Sequence, residues 1–531
     1  MRMRLSTPAR STGDTLTLAL FALALCLPLG GRFLDPGADT SVLPELRNPA
    51  PAPRLPHSGE QLAALPERCE AWLRDRFGFR RSLVRGHNAL KVFGFGVSPT
   101  DRAVMSSDLW VFTTVNQTFE AFRGTLELSE AELERWRVVL EARRDWLAAR
   151  GITYALCFAP AKPMLYPERL PPGFRPGPRT PLEQLQAYLA EHSDFELIDL
   201  HTPLRAAKVD DREGDWLYYK LGSHWTERGG FVAARAVLES LRAERPDLHV
   251  PEASEYHRVP GADQGDNWAG RLHLEEVLRQ ARTDFEPLSG WSTEQRGAGS
   301  GDLGTRVSTS SEGPRLLLLH DSFGEGLWPV LAESFAHSRA QGSFELDPEL
   351  VAGAGPDVIV QVMAERRLAI HRPQDTLGDA RERAREAFEG SAVQLLVLAG
   401  GESLRGLAPW AGSEFDLPEG SASLALRCPS PRAGFQLPVL DLPELELRGG
   451  ALPVLRLELT SPEETTLTVL YQTADRLDYL PSRGVHVPLA EGRNELFIEI
   501  PAEDLAGRLL VLPGRRRGRY LVHSIELRAP R

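Results

Sequence analysis

The sequence predicts an α/β protein: a doubly wound parallel-sheet domain followed by a C-terminal antiparallel β-sandwich. Three observations carry this. Apolar runs without a polar member, at 316–319 and nearly so at 358–363, read as strands buried on both faces of a parallel sheet. Helix-period segments alternate with them. From about residue 393 the pattern changes to short alternating strands separated by Pro, Gly and Asn turns, as in a sandwich.

The 531 residues exceed what one core supports. The expected organisation is a signal peptide or signal-anchor at 1–34, an extracytoplasmic tether at 35–64, the α/β domain at 65–375 and the sandwich at 390–531. A net charge of −12 argues against a nucleic-acid partner, which calls for a basic face.

Arg2, Arg4 and Arg10 precede an apolar run at 16–29. A basic flank before a short hydrophobic stretch is an export signal, so the bulk of the chain is expected in the periplasm. No small-x-small cleavage site follows, which favours an uncleaved inner-membrane anchor over secretion after cleavage. Residues 35–56 are rich in proline and polar side chains and read as the tether. Among four cysteines, Cys26 falls in the apolar run and Cys157 in a buried strand. Cys69 and Cys428 are left as a possible disulfide, with free buried thiols as the alternative.

Residues 67–93 are helical and amphipathic, with Trp72, Phe77, Leu83 and Leu90 among arginines. Ser129 and Glu132 form a capping box for a helix in which Leu133, Trp136, Leu140 and Leu147 recur until Gly151. A strand at 152–159 follows, then a helix and strand at 181–192 and 195–200, and a helix at 226–242. Between 250 and 306 the periodicity weakens into a long insertion, the kind of loop that is functional or mobile. Trp268 and Trp291 within it either stack on sugar rings or pin the loop to the core. After a helix at 375–388, strands are expected at 455–459, 466–471, 495–500, 509–512 and 521–527. Arg515, Arg516, Arg517 and Arg519 make a basic cluster that serves either a solvated turn or an anionic polymer.

The chemistry concentrates at two stretches. Ser322 follows the strand at 316–319 and precedes a helix, where α/β sheets bind ligands and free N–H groups of the helix terminus can stabilise an oxyanion. A serine needs a base. His224 stands just before Thr226, a plausible N-cap, and is the candidate. No phosphate loop, Cys-x-x-Cys or His-Glu-x-x-His is present, so neither a metal nor a cofactor is implied, and Ser322 is not in a Gly-x-Ser-x-Gly elbow.

Several blocks in order resemble the alginate O-acetyltransferases of the AlgJ and AlgX type, which carry an SGNH-hydrolase-like domain. They are residues 74–80, Ser107 to Phe112, the loop with Ala159, Pro160, Ala161, Lys162, Tyr166 and Pro167, the Ser223–His224–Trp225–Thr226 block, Asp321–Ser322–Phe323, and Glu365–Arg366. The resemblance implies catalysis by Ser322 and His224, with Asp321 a structural member of the motif and Lys162, Tyr166, Trp225, Glu365 and Arg366 toward substrate. It also implies a polysaccharide acceptor and a membrane-bound O-acyltransferase as acetyl donor. The sequence departs from the family at Gly222, where an aspartate orients the imidazole, at Ala161, where an asparagine stands, and at His320, often a glycine. Asp215 and Glu227 are the carboxylates nearest His224 in sequence that are open to the orienting role. The expected activity is O-acetyl transfer to an exopolysaccharide hydroxyl through an acyl-serine. The alternatives are a polysaccharide acetyl esterase and a non-catalytic polysaccharide-binding scaffold, which the loss of the acid at Gly222 favours.

Overall fold

The computed structural model describes residues 13, 16–22, 52–53, 59–63, 65–75, 79–297, 302–308, 313–371, 373, 379–391, 393–418, 420–440, 452–473, 479, 484–501, 505–514 and 517–529. The chain divides into two compact units, one made of 1–113, 220–222 and 262–282, the other of 114–219, 223–261 and 283–531.

The first unit contains helices Leu65–Asp75 and Arg80–Ala89, the second continued by a π-helical turn at Leu90–Gly94. An antiparallel ribbon pairs Ala103–Met105 with Val111–Thr113. Its core gathers Val92, Met105, Val111, Leu221 and Leu272 around Trp268, which is 2% exposed. Of the two roles open to Trp268, packing into a core is the one it takes.

The second unit is built on a six-stranded sheet. Its strands are β1 (Thr153–Ala159), β2 (Thr293–Arg296), β3 (Asp302–Ser308), β4 (Arg315–His320), β5 (His337–Gly342) and β6 (Val358–Ala364), in the order β1-β6-β4-β5-β3-β2. The first four in that order are parallel, with Val358 opposite both Thr153 and Leu316. The sheet is not wholly parallel as expected, because β3 and β2 run antiparallel at one edge. They form a hairpin whose connection is far shorter than the dozen or more residues a parallel crossover needs. The insertion at 250–306 contains further strands, Tyr256–Gln264 and Gln280–Pro287, and is not one irregular loop. The strand expected at 195–200 reduces to one bridge, Ile198 to Cys157.

The leucines of β4 explain its central place. Leu317 and Leu319 pack with Trp136, Leu140, Leu185 and Ile359 on one face, while Leu316 and Leu318 are as fully buried on the other. Each such side chain contributes about 1.5–3 kcal/mol of burial. Helices α1 (Glu130–Ala148) and α2 (Pro181–His192) cover the first face. The capping box of Ser129 and Glu132 starts α1 as expected, with both reciprocal bonds formed. Helices α3 (Glu227–Leu241) and α4 (Gly324–Ala332) carry the site.

Beyond residue 393 lie two antiparallel sheets. One has Gly518–Ala529 bonded to Val393–Leu398, Leu424–Cys428 and Val454–Ser461; the other has Leu505–Leu512 between Gly434–Gln436 and Thr465–Thr473. Both contribute to a single apolar cluster that includes Leu426, Leu457, Val469, Val511 and Ile525. Arg515 and Arg516 lie outside the described residues; Arg519 is 3.5 Å from Asp416. Cys69, Cys157 and Cys428 are free thiols, so of the two alternatives the Cys69–Cys428 disulfide is the one not formed. Burial pushes the Cys428 thiol up to about 12. Of the apolar run at 16–29 only 16–22 are described, and among the described residues no helix is long and apolar enough to cross a membrane. The anchor expectation thus gains no support from the structure.

Candidate functional site

Ser322 lies at the carboxyl end of β4, immediately before α4, and is exposed. His224 is held by a narrow turn leading into α3. Tyr218 bridges Trp225 across it, and the Tyr219 N–H donates to the His224 carbonyl at 3.0 Å. Thr226 then caps α3 by accepting from the Gly229 N–H at 3.3 Å. Helices α3 and α4 cross where neither has a side chain to spare. A Cβ on Gly230 would stand 2.0 Å from the Gly326 carbonyl oxygen. Glycine at this crossing draws the two helix starts together. The Phe323 ring fills the space between them, edge-on to Trp225 at 4.9 Å and to His224 at 5.0 Å. The result is a direct pair, His224 Nε2 to Ser322 Oγ at 2.7 Å. With Nε2 unprotonated, Ser322 donates to it, the geometry of a nucleophile and its general base.

Asp321 is a structural member of this turn. Its Oδ1 accepts from the Phe323 N–H at 3.0 Å and its Oδ2 from the Ala364 N–H at 2.9 Å, which ties the end of β4 to the end of β6. The Gly324 N–H donates to the Asp321 carbonyl at 3.0 Å. The N–H groups of Phe323 and Gly324 are therefore engaged and are not the free helix-terminal donors that an oxyanion would meet. The physical reason is that buried N–H groups require partners, and Asp321 supplies them from within the motif. His320 is buried, with Nδ1 2.6 Å from the same carbonyl.

The acids near His224 in sequence have other partners. Asp215 pairs with Arg258 at 2.6 Å and with Arg228 at 3.3 Å. Glu227 accepts from the Tyr219 hydroxyl at 2.9 Å. In the first unit, a Cβ on Gly222 would stand 2.2 Å from Asp266 Oδ2. Residue 222 has no room for an acid of its own while that carboxylate is in place.

The remaining predicted residues act mostly as supports. Lys162 is 3% exposed and its Nζ donates to the Tyr219 carbonyl at 2.8 Å, while the Tyr218 hydroxyl donates to the Pro160 carbonyl at 2.6 Å. The loop at 160–162 thereby grips the turn that carries His224. The Tyr166 hydroxyl donates to Asp211 at 2.7 Å and accepts from the Leu217 N–H at 3.0 Å; burial, then Asp211, holds its proton on. Trp225 is buried against Phe323. Glu365 is buried, accepting from the Ala161 N–H at 3.2 Å with His201 Nε2 at 3.1 Å. Arg366 places its guanidinium 5.6 Å from the Phe323 ring centroid. His201, Asp211 and Arg228 have no local signal in the sequence. Their partners are brought by the fold, as with His201 and Glu365, 164 residues apart. Trp291 is 37% exposed, with the Arg306 guanidinium 5.4 Å from its ring. Among the described residues no three His, Cys, Asp or Glu side chains group as metal ligands.

Residues 103–308 match the family model described as SGNH hydrolase-like domain, acetyltransferase AlgX. The match includes His224 and ends before Ser322. A curated relative, alginate biosynthesis protein AlgX of Pseudomonas aeruginosa, is 30% identical over 139 residues, which are 26% of this chain and 27% of that protein. The aligned stretch thus spans about a quarter of the relative's length. Among solved structures, P. aeruginosa AlgX is similar over 84% of this chain and 98% of that one, at 14% identity and a TM-score of 0.35. The O-acetyltransferase domain of Pseudomonas putida AlgJ is similar over 51% and 93%, at 19% identity and a TM-score of 0.36.

Proposed function

The chain is an AlgJ/AlgX-like protein by the SGNH hydrolase-like domain at residues 103–308, and from that premise we propose that it is an extracytoplasmic O-acetyltransferase working through an acyl-serine. The observation that carries the reading is the Ser322 Oγ to His224 Nε2 distance of 2.7 Å at the carboxyl edge of the sheet. Ser322 Oγ adds to the acetyl carbonyl carbon while His224 takes its proton. The tetrahedral intermediate expels the donor's oxygen, which His224 protonates. An acceptor hydroxyl then repeats the sequence on the acyl-enzyme, with His224 again as base. A membrane-bound O-acyltransferase is the proposed acetyl source, and the acceptor is a hydroxyl of an alginate-like exopolysaccharide. The arginine-flanked apolar run near the N-terminus supports a location outside the cytoplasm. The two C-terminal sheets are read as a β-sandwich that holds the polymer.

A second reading rests on Gly222. An imidazole without its orienting acid loses about four orders of magnitude in turnover, which suits a polysaccharide-binding scaffold. An acetyl esterase differs from the transferase only in letting water reach the acyl-enzyme. Supplying an acetyl ester together with uronate oligosaccharides separates the three. Mass spectrometry of the oligosaccharides is expected to show acetylation that disappears in Ser322→Ala and His224→Ala. Release of acetate with unmodified sugar would establish the esterase, and binding with no release the scaffold.

A further inference from the structure

Acyl transfer at Ser322 requires donors where the carbonyl oxygen gains charge. Three of the backbone groups that lie at hand are spent. The Phe323 N–H goes to Asp321 Oδ1 at 3.0 Å, the Gly324 N–H to the Asp321 carbonyl at 3.0 Å, and the Ala161 N–H to Glu365 Oε2 at 3.2 Å. Ala161 brings no side-chain donor to its loop. A cation stands beside the same turn. Arg366 follows β6, whose Val362 lies opposite His320 and whose Ala364 N–H holds Asp321. Its guanidinium is 5.6 Å from the centroid of the Phe323 ring, His224 is 5.0 Å from that centroid, and His224 holds Ser322 at 2.7 Å. Cation, ring, base and nucleophile are therefore contiguous.

Arg366 is also underused. It is half-buried, and among the described residues its side chain makes no hydrogen bond, although a guanidinium offers five N–H donors. Burial pulls it below the ordinary arginine value, while the Asp321 carboxylate nearby favours the charged form. None of its nitrogens is among the buried atoms that lack a partner, so its donors reach solvent, an arrangement open to a ligand. It suits a group that meets negative charge only when a substrate arrives.

We propose that Arg366 is the oxyanion-stabilising residue of the Ser322 site, donating to the acetyl carbonyl oxygen as Ser322 Oγ adds to the carbonyl carbon. The Oγ–H proton passes to His224 Nε2, the C=O π electrons move to oxygen, and Arg366 faces the resulting anion. Collapse restores the carbonyl, expels the donor oxygen and returns the proton from His224 to it. This deepens the acyl-serine reading and rests on it.

The test uses p-nitrophenyl acetate, an uncharged ester, with the full chain and its Arg366→Ala and Arg366→Lys variants, each checked for folding by urea unfolding. The expected result is a fall in kcat of about 10²–10³-fold for Arg366→Ala with KM nearly unchanged. Arg366→Lys should retain part of the rate, and added guanidinium ion should restore part of the alanine variant's. Unchanged turnover of this ester, with weaker binding of a uronate oligosaccharide, would assign Arg366 to an acceptor carboxylate and overturn the proposal. A loss of rate that neither lysine nor guanidinium restores would make Arg366 structural and overturn it too. Were the wild-type chain inert and Ser322 unlabelled by a sulfonyl fluoride, the acyl-serine reading would itself fail. An active wild type with an unaffected Arg366→Ala variant would sink only the Arg366 assignment.

Discussion

Replacing Asp321 by alanine strips two acceptors from the turn that presents Ser322. The Phe323 and Ala364 N–H groups, at 3.0 and 2.9 Å from the carboxylate, belong to residues with no exposed surface. Leaving a buried donor unpaired costs about 1–3 kcal/mol, so the pair amounts to about 2–6 kcal/mol. That is a large share of the roughly 5–15 kcal/mol that holds a domain together. Asp321→Asn keeps one oxygen but turns an NH₂ toward the other N–H, so it should lose about half as much, about 1–3 kcal/mol. Urea unfolding followed by circular dichroism reads both variants, with the acetyl-ester assay run on the protein that remains folded. The midpoint should fall in the order wild type, asparagine, alanine with the slope unchanged. An alanine variant that unfolds at the wild-type midpoint yet has lost activity would show that Asp321 serves the chemistry and not the turn.

Gly230→Ala places a methyl 2.0 Å from the Gly326 carbonyl oxygen, so α3 and α4 must separate; turnover should fall at least tenfold as the His224–Ser322 bond lengthens, a loss of about 1.4 kcal/mol or more in transition-state stabilisation. Gly222→Asp sets a second carboxylate against Asp266, 2.2 Å from where the Cβ would lie, and should lower the melting temperature, whereas Gly222→Asp with Asp266→Gly should recover part of that loss in a double-mutant cycle. Lys162→Met removes the donor to the Tyr219 carbonyl and should lower kcat while leaving KM near its wild-type value; a selective rise in KM would instead make Lys162 a substrate ligand. The His523 ring, set between Ser423 and Thr460, is held below its ordinary value by burial and then by Arg493. Its stabilising contribution is complete above about pH 6.5 and is lost as pH falls from there through the depressed folded value, so cooling of the melting temperature between about pH 7 and pH 5 should shrink in His523→Gln.

What the sequence made legible depended on local rules. The four leucines of β4, the Ser129–Glu132 capping box and the Thr226 cap are each dictated by a few neighbouring residues, and each forms as expected. Ser322 and His224 were legible because each sits at an element boundary, and the fold brings them within 2.7 Å. The antiparallel edge was hidden because the strands at 293–308 are short and polar, with partners chosen by the sheet and not by periodicity. The fate of the N–H groups at 323 and 324 was hidden for a different reason. A helix start leaves donors unsatisfied only until a side chain claims them, and nothing in the dipeptide Asp321–Ser322 tells whether the aspartate turns inward. Trp268 was ambiguous in a segment of weak periodicity because a lone tryptophan suits a core or a sugar equally; its burial with Val92 and Leu272 decides the matter.

The proposed acetyl transfer requires that Ser322 become acylated with His224 as its base. Rapid quenching of the full chain with an acetyl ester, followed by peptide mass spectrometry, tests it most directly. One acetyl group is expected on the peptide containing Ser322, absent in Ser322→Ala and strongly reduced in His224→Ala. Acetyl found on another residue, or none on Ser322 while ester is being turned over, would contradict it.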